Sequence, residues 1–239
     1  MGAQKCGTTL YDYFIQHTTI LSASRKEIGF FDRYFNMNLY WYKSHFPLIR
    51  KKLFEKQKII TGKALPNYFF NLHASKRIYK KFLNMKLIVL LRNPIDRAYS
   101  HYQMQVRKGF ESLSFEDAIK SENTRLLEEK EKIIANENYY AYNYEMFSYL
   151  ERGIYVKQLE NWFKVFPKKQ ILVLNTEEFV QNPTDALSLV FDFLNLDDYN
   201  IINLKKSNVG KYLPIKEPTR NFLKDYFKSY NIRLYRLLN

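Results

Sequence analysis

The segment Met1-Gly2-Ala3-Gln4-Lys5-Cys6-Gly7-Thr8-Thr9 decides how the rest of the chain is read. Two glycines five positions apart, a lysine and two hydroxyls are the ingredients of a phosphate-binding loop. In such a loop backbone N–H groups cradle anionic oxygens in front of a helix N-terminus. The usual spacing is G-x-x-x-x-G-K-[ST]. Gly2 and Gly7 keep it, but Thr8 follows Gly7, and the lysine, Lys5, lies inside the loop. Leu10, Tyr11, Phe14 and Ile15 then form the stripe of an amphipathic helix over residues 10–17. Loops of this kind follow a buried parallel strand, so the pattern also predicts a first strand upstream, missing from the N-terminus as written.

Outward from the loop, the most apolar run lies within residues 85–91, Leu87-Ile88-Val89-Leu90-Leu91 at its heart, and reads as a buried strand. It runs into Arg92-Asn93-Pro94, and Pro94 suits the first turn of a helix continuing over 95–107. A strand ending in arginine at a helix mouth makes a second anion site, to which Ser100 is a candidate contributor, flanked by Arg97 and Arg107. Equally, Arg92 could pair with Asp96, and Ser100 could be packing. Residues 59–61 and 171–174 read as further short strands. Helices are expected over 39–46, 48–58, 74–83, 144–150, 154–166 and 185–194, with a helix pair from 219 onward. Ser114 caps the acidic stretch 111–145, read as one or two surface helices without chemistry. Strands alternate with helices, which predicts an α/β fold with a central, mainly parallel sheet flanked by helices, in one domain over 1–239.

Thirty-eight basic residues against twenty-four acidic ones, a formal charge of +14, favour an anionic partner: a nucleotide, a charged glycan, nucleic acid or a membrane surface. Between positions 50 and 86 stand eleven Lys or Arg and one acid, either a solvated face or an electropositive rim for an anionic substrate. The one cysteine, Cys6, excludes an internal disulfide and any multi-cysteine metal site. No apolar run has membrane-spanning length, so the chain as written reads as soluble. The loop-like segment 24–32 places Glu27 and Asp32 either side of Ile28-Gly29-Phe30-Phe31; solvated loop charge is the plain reading of both acids. Near the C-terminus, Asn208-Val209-Gly210-Lys211-Tyr212 is a basic turn.

A metal-dependent triphosphatase needs lysine directly after the second glycine and an acid at a strand end to hold Mg²⁺. Thr8 and strand ends at Arg92 and Asn175 disfavour that reading. Without a metal, lysines must neutralise the leaving phosphate. A sulfuryl group, carrying a single negative charge, suits that arrangement better than a phosphoryl group.

Together the loop at 2–9, the segment Lys26-Glu27-Ile28-Gly29-Phe30-Phe31-Asp32 and the stretch from Arg92 to Ser100 resemble the sulfotransferases that use 3′-phosphoadenosine 5′-phosphosulfate (PAPS). Among these the chain is most similar to the carbohydrate enzymes related to heparan sulfate N- and 3-O-sulfotransferases. The Lys211-Tyr212 loop and residues 219–238 resemble the C-terminal part of the N-sulfotransferases. The resemblance implies a P-loop-like three-layer fold and a metal-independent, nucleotide-binding transferase acting on carbohydrate. It implies that Lys5, Gly7, Thr8 and Thr9 hold the 5′-phosphosulfate, that Arg92 and Ser100 hold the 3′-phosphate, and that Lys211 and Tyr212 complete the donor site.

By the same resemblance Glu27 is the general base, Asp32 orients it or the acceptor, and Lys5 and Lys211 stabilise charge on the departing phosphate. Lys26 and Lys63 are the candidates for meeting the acceptor. Gly29 stands where the 3-O-enzymes carry histidine before the paired phenylalanines, and Lys63 where they carry glutamate. The implied partners are an anionic nucleotide and a glycan, without nucleic acid. The location stays open between cytoplasm and, behind an upstream anchor, the Golgi lumen. Two other readings also stay open: a catalytically impaired protein that binds PAPS or its product 3′-phosphoadenosine 5′-phosphate (PAP), and a basic nucleic-acid-binding protein, for which charge speaks but no motif does.

Overall fold

A computed structural model of the chain describes residues 2–7, 11–47, 59–199 and 212–239. In chain order its elements begin with α1 (Tyr11–Phe14), β1 (Ile20–Ser22), α2 (Leu39–Ser44), β2 (Ile60–Gly62), α3 (Asn67–Phe70) and α4 (Ala74–Lys81). They continue with β3 (Leu87–Leu91), α5 (Pro94–Arg107), α6 (Phe115–Ala135), α7 (Tyr142–Phe147) and α8 (Tyr155–Phe163). The last are β4 (Ile171–Asn175), α9 (Thr176–Gln181), α10 (Pro183–Leu194) and α11 (Glu217–Leu238). None of the described helices is long and apolar enough to cross a membrane.

The strand β3 is enclosed on both edges, which is why its sequence is apolar almost without alternation. On one side it pairs in parallel with β4, from Leu87 opposite Ile171 to Leu91 opposite Asn175. On the other, Ala3 N donates to Leu90 O and Leu90 N to Gly2 O, each at 2.7 Å, so the opening residues occupy the place of a neighbouring strand. Parallel pairing brings the ends of β3, β4 and residues 2–3 to one edge, the edge at which open α/β sheets bind ligands. Asn93 caps α5 there, accepting from Ile95 N at 3.0 Å, and Asn175 caps α9, accepting from Glu177 N at 2.7 Å. Pro94 occupies the first turn of α5, where its missing N–H costs nothing.

The expected α/β architecture with parallel strands is present, but among the described residues the strands fall into two short pairs, β3 with β4 and β1 with β2. β1 was not expected, because three residues are too few for a strand pattern to register. The helix pair expected from 219 is one continuous helix, α11: its only proline, Pro218, sits in the first turn, and no glycine interrupts it. The helix expected over 48–58 lies outside the described residues.

Between the sheet and the helices lies an aromatic core. Trp162 of α8 is fully buried, and its indole N–H donates to Phe69 O of α3 at 3.1 Å, so the ring is enclosed without an orphaned donor. Truncating such a ring typically costs about 3–5 kcal/mol. α11 adds Leu223 and Phe227 to the same core, and its Arg220 pairs with Asp96 of α5 at 2.8 Å.

Candidate functional site

At the sheet edge the chain turns tightly through residues 3–7. Cys6 N donates to Ala3 O at 3.2 Å, and Thr176 Oγ1 at the start of α9 donates to Cys6 O at 2.8 Å. Lys5 and Gly7 both adopt left-handed backbone, with φ of 67° and 77°. Glycine takes that conformation freely, whereas at lysine it is uncommon and strained. Arg92 Nη1 donates to Lys5 O at 3.3 Å, so the end of β3 is tied to the loop. Burial, and then the charges of Arg107, Arg92, Lys108 and Arg97, hold the Lys5 ammonium below the ordinary lysine range. Like charges gathered in this way repel one another until an anion sits among them. The donor set therefore fits a ligand carrying several negative charges.

Asp96 pairs with Arg220 and not with Arg92. Arg92 instead lines a cavity of about 200 Å³ together with Tyr99, Tyr212 and Arg220. The rings of Tyr99 and Tyr212 meet edge to face at 5.4 Å. The structure thus brings Lys5, Arg92 and Tyr212 to one end of the sheet, while Ser100 is buried on α5 and is not among the described residues lining that cavity. Thr8, Thr9 and Lys211 lie outside the described residues. Tyr99 and Arg220 were not singled out in the sequence; for Tyr99 its place directly before Ser100 was the available signal, while Arg220 arrives from a distant helix.

The second part of the site is shaped by Phe30 and Phe31. Both sink into the core, edge to face at 4.9 Å, and leave Glu27 exposed on one side and Asp32 half-buried on the other. A single hydroxyl fastens the turn: Tyr68 Oη donates to Ile28 O at 2.6 Å and accepts from Phe31 N at 3.1 Å. Asp32 accepts from Arg33 N at 2.8 Å and from Asn67 Nδ2 at 3.0 Å. A Cβ at Gly29 would stand 2.9 Å from Asp32 Oδ1, so a side chain at 29 would push the Asp32 carboxylate from this position.

The two lysines expected to meet an acceptor are engaged internally. Lys26 reaches both carboxylate oxygens of Asp12 at 3.0 Å. The Lys63 ammonium donates to Ile28 O and Tyr68 Oη and lies over the Tyr68 ring at 4.0 Å. Burial lowers its pKa to about 7 against the opposing pull of Asp32 and Glu27. Between about 7 and the ordinary lysine value of 10.5, the folded chain holds Lys63 neutral while the unfolded chain holds it charged. Unfolding takes up a proton in that window, so this group makes stability rise with pH there, by up to about 1.4 kcal/mol per pH unit, and contributes no slope below it. In denaturant titrations at pH 7, 8 and 9, Lys63→Met is expected to flatten the rise; an unchanged slope would mean the ammonium is solvated.

Of the cations that suggested an electropositive rim over positions 50–86, Lys76, Lys80 and Lys81 are exposed on α4. The 50–58 portion lies outside the described residues. Three others are engaged: Lys63 points inward, Arg77 is buried against Phe31 O at 3.3 Å, and Lys86 bonds Asn195 Oδ1 at 3.0 Å. Beside Asp32 lies a cavity of about 320 Å³ that reaches α7, and no described lysine lines it.

Comparison with known proteins places these features in context. The sequence profile of the sulfotransferase domain matches residues 1–212. The chain is 27% identical to the membrane-associated sulfotransferase kil1 of Dictyostelium discoideum, over all of this chain and 64% of that protein. It is 31% identical to human heparan sulfate glucosamine 3-O-sulfotransferase 3B1, over 82% of this chain and 45% of the relative. The chain therefore spans less than two thirds of these relatives. Among solved structures, a sulfotransferase from Alicyclobacillus acidocaldarius superposes with a TM-score of 0.71 at 27% identity, covering 99% of this chain and 93% of the other.

Proposed function

The chain belongs to the sulfotransferase domain family, and from that premise we propose that it moves a sulfuryl group from PAPS to a hydroxyl or amine of a carbohydrate acceptor. The observation that carries this reading is the tight loop at residues 3–7, whose Lys5 lies in the positive field of Arg92, Arg97, Arg107 and Lys108 and whose Lys5 carbonyl accepts from Arg92. The curated relatives that act on heparan sulfate support a sugar as acceptor.

Lys5, Gly7, Thr8 and Thr9 hold the phosphosulfate, Arg92 and Ser100 the 3′-phosphate, and Tyr212 with Lys211 the remainder of the donor. Glu27 takes the acceptor proton as the acceptor atom forms its bond to sulfur in line. The bond from sulfur to the phosphate oxygen breaks, and PAP departs with its charge met by Lys5 and Lys211. Asp32, fixed by Asn67 and the Arg33 amide, orients the reacting group. The proposed unit is the single domain 1–239.

Transfer of radiolabelled sulfate from PAPS to a panel of glycans tests the reading, and calorimetric PAP binding without transfer would reduce it to a nucleotide-binding protein. Arg92→Ala is expected to weaken PAP by about 10–100-fold, the worth of a hydrogen bond to a charged group, and to spare a ligand lacking the 3′-phosphate. Equal losses for both ligands would remove Arg92 from the 3′-phosphate site.

A further inference from the structure

The cavity beside Asp32 bears on the kind of acceptor, given the sulfuryl-transfer reading above. At about 320 Å³ it falls at the low end of the roughly 300–1,000 Å³ typical of small-ligand sites. It lies between α3, the end of α6 and α7, and Asn67, which holds Asp32, is part of its wall.

Its cations already have partners within the protein. The lining carries the carboxylates of Asp32, Glu137 and Glu145 and the guanidiniums of Arg33 and Arg152. Arg33 is paired with Glu145. Arg152 is 2% exposed, donates to Asn67 Oδ1 at 2.9 Å and Glu145 O at 3.1 Å, and lies over the Phe70 ring at 4.3 Å. From outside the cavity Arg77 reaches Glu137 at 3.6 Å. His73 is bonded to Ile133 O at 2.9 Å. An anionic sugar entering here would lose water and face carboxylates while every described lining cation is already engaged, which is unfavourable. The Lys5 end presents the opposite case, with repelling cations.

The remaining wall is aromatic and amide. Tyr34 and Tyr140 are each 46% exposed, and Phe70 stacks on Tyr144 at 4.3 Å and 11° behind them. Asn67, Asn71 and Asn138 are interspersed. Rings that cover apolar C–H faces, beside amides that bond hydroxyls, match a polyhydroxylated ring. We propose that this cavity is an acceptor subsite that takes an uncharged pyranose in preference to a sulfated or carboxylated sugar.

Saturation-transfer NMR with PAP present, using cellotetraose, maltotetraose, N-acetyllactosamine and a heparin tetrasaccharide, tests the proposal on the full chain. A neutral sugar is expected to bind, and Tyr140→Ala and Tyr34→Ala, both at exposed positions, are each expected to weaken it at least about fivefold, the worth of one ring contact. Binding of heparin alone, displacement of the neutral sugar by heparin, or neutral-sugar binding indifferent to both variants would each overturn it. The transferase reading fails separately. Neutral-sugar binding sensitive to both tyrosines, with no sulfate moved from PAPS to any glycan, would sink that reading, and with it the acceptor role. Sulfation of heparin without neutral-sugar binding would sink only the neutral-acceptor proposal.

Discussion

Glu27→Gln is expected to lower sulfuryl transfer by about 10²–10⁴-fold while PAP affinity changes by no more than about twofold, because the amide keeps the shape of the carboxylate but accepts no proton. The side chain is exposed at the surface end of a turn whose other residues are fixed by Phe30, Phe31 and Tyr68, so its replacement disturbs little packing. The donor cations stand on different segments, Lys5 within the loop and Arg92 at the end of β3. Single-turnover rates paired with calorimetry of PAP binding separate the two effects. Wild-type turnover in this variant would remove Glu27 from the mechanism.

Lys5→Ala is expected to reduce kcat/KM by about 10²–10³-fold, the loss typical of removing one preorganised group from a developing negative charge. Lys5→Gly provides the companion measurement. Its backbone suits φ of 67° better than alanine does, so it should fold at least as well, yet it should lose as much activity. Neither substitution should destabilise the ligand-free protein, since each removes a cation from among Arg107, Arg92, Lys108 and Arg97. A stability gain coupled to an activity loss would mark the cluster as built for a ligand. Activity surviving in either variant would place the phosphosulfate elsewhere.

Local signals made part of the molecule readable in advance. The run from Leu87 to Leu91 could be little else than an enclosed strand, and Asn93-Pro94 announced the helix after it. Charge and apolar pattern do not say which way a side chain points. Lys63 looked available to an acceptor and is instead drawn between Ile28 O and Tyr68, because Phe30 and Phe31 pull the neighbouring turn into the core. The acidic stretch was given no chemistry, yet Tyr140 and Glu145 reach Arg33, more than a hundred positions away, and close the cavity beside Asp32. No local periodicity encodes such a meeting.

The family match ends at residue 212, whereas α11 begins at Glu217. That helix buries Leu223 and Phe227 in the common core and sends Arg220 to Asp96, in the first turn of the helix that follows Arg92. The recognisable signature is thus shorter than the body that supports it. A shortened version cut at the signature's end would keep every named donor residue and lose the brace behind Arg92, so boundaries for expression are better drawn from the packing than from the motif.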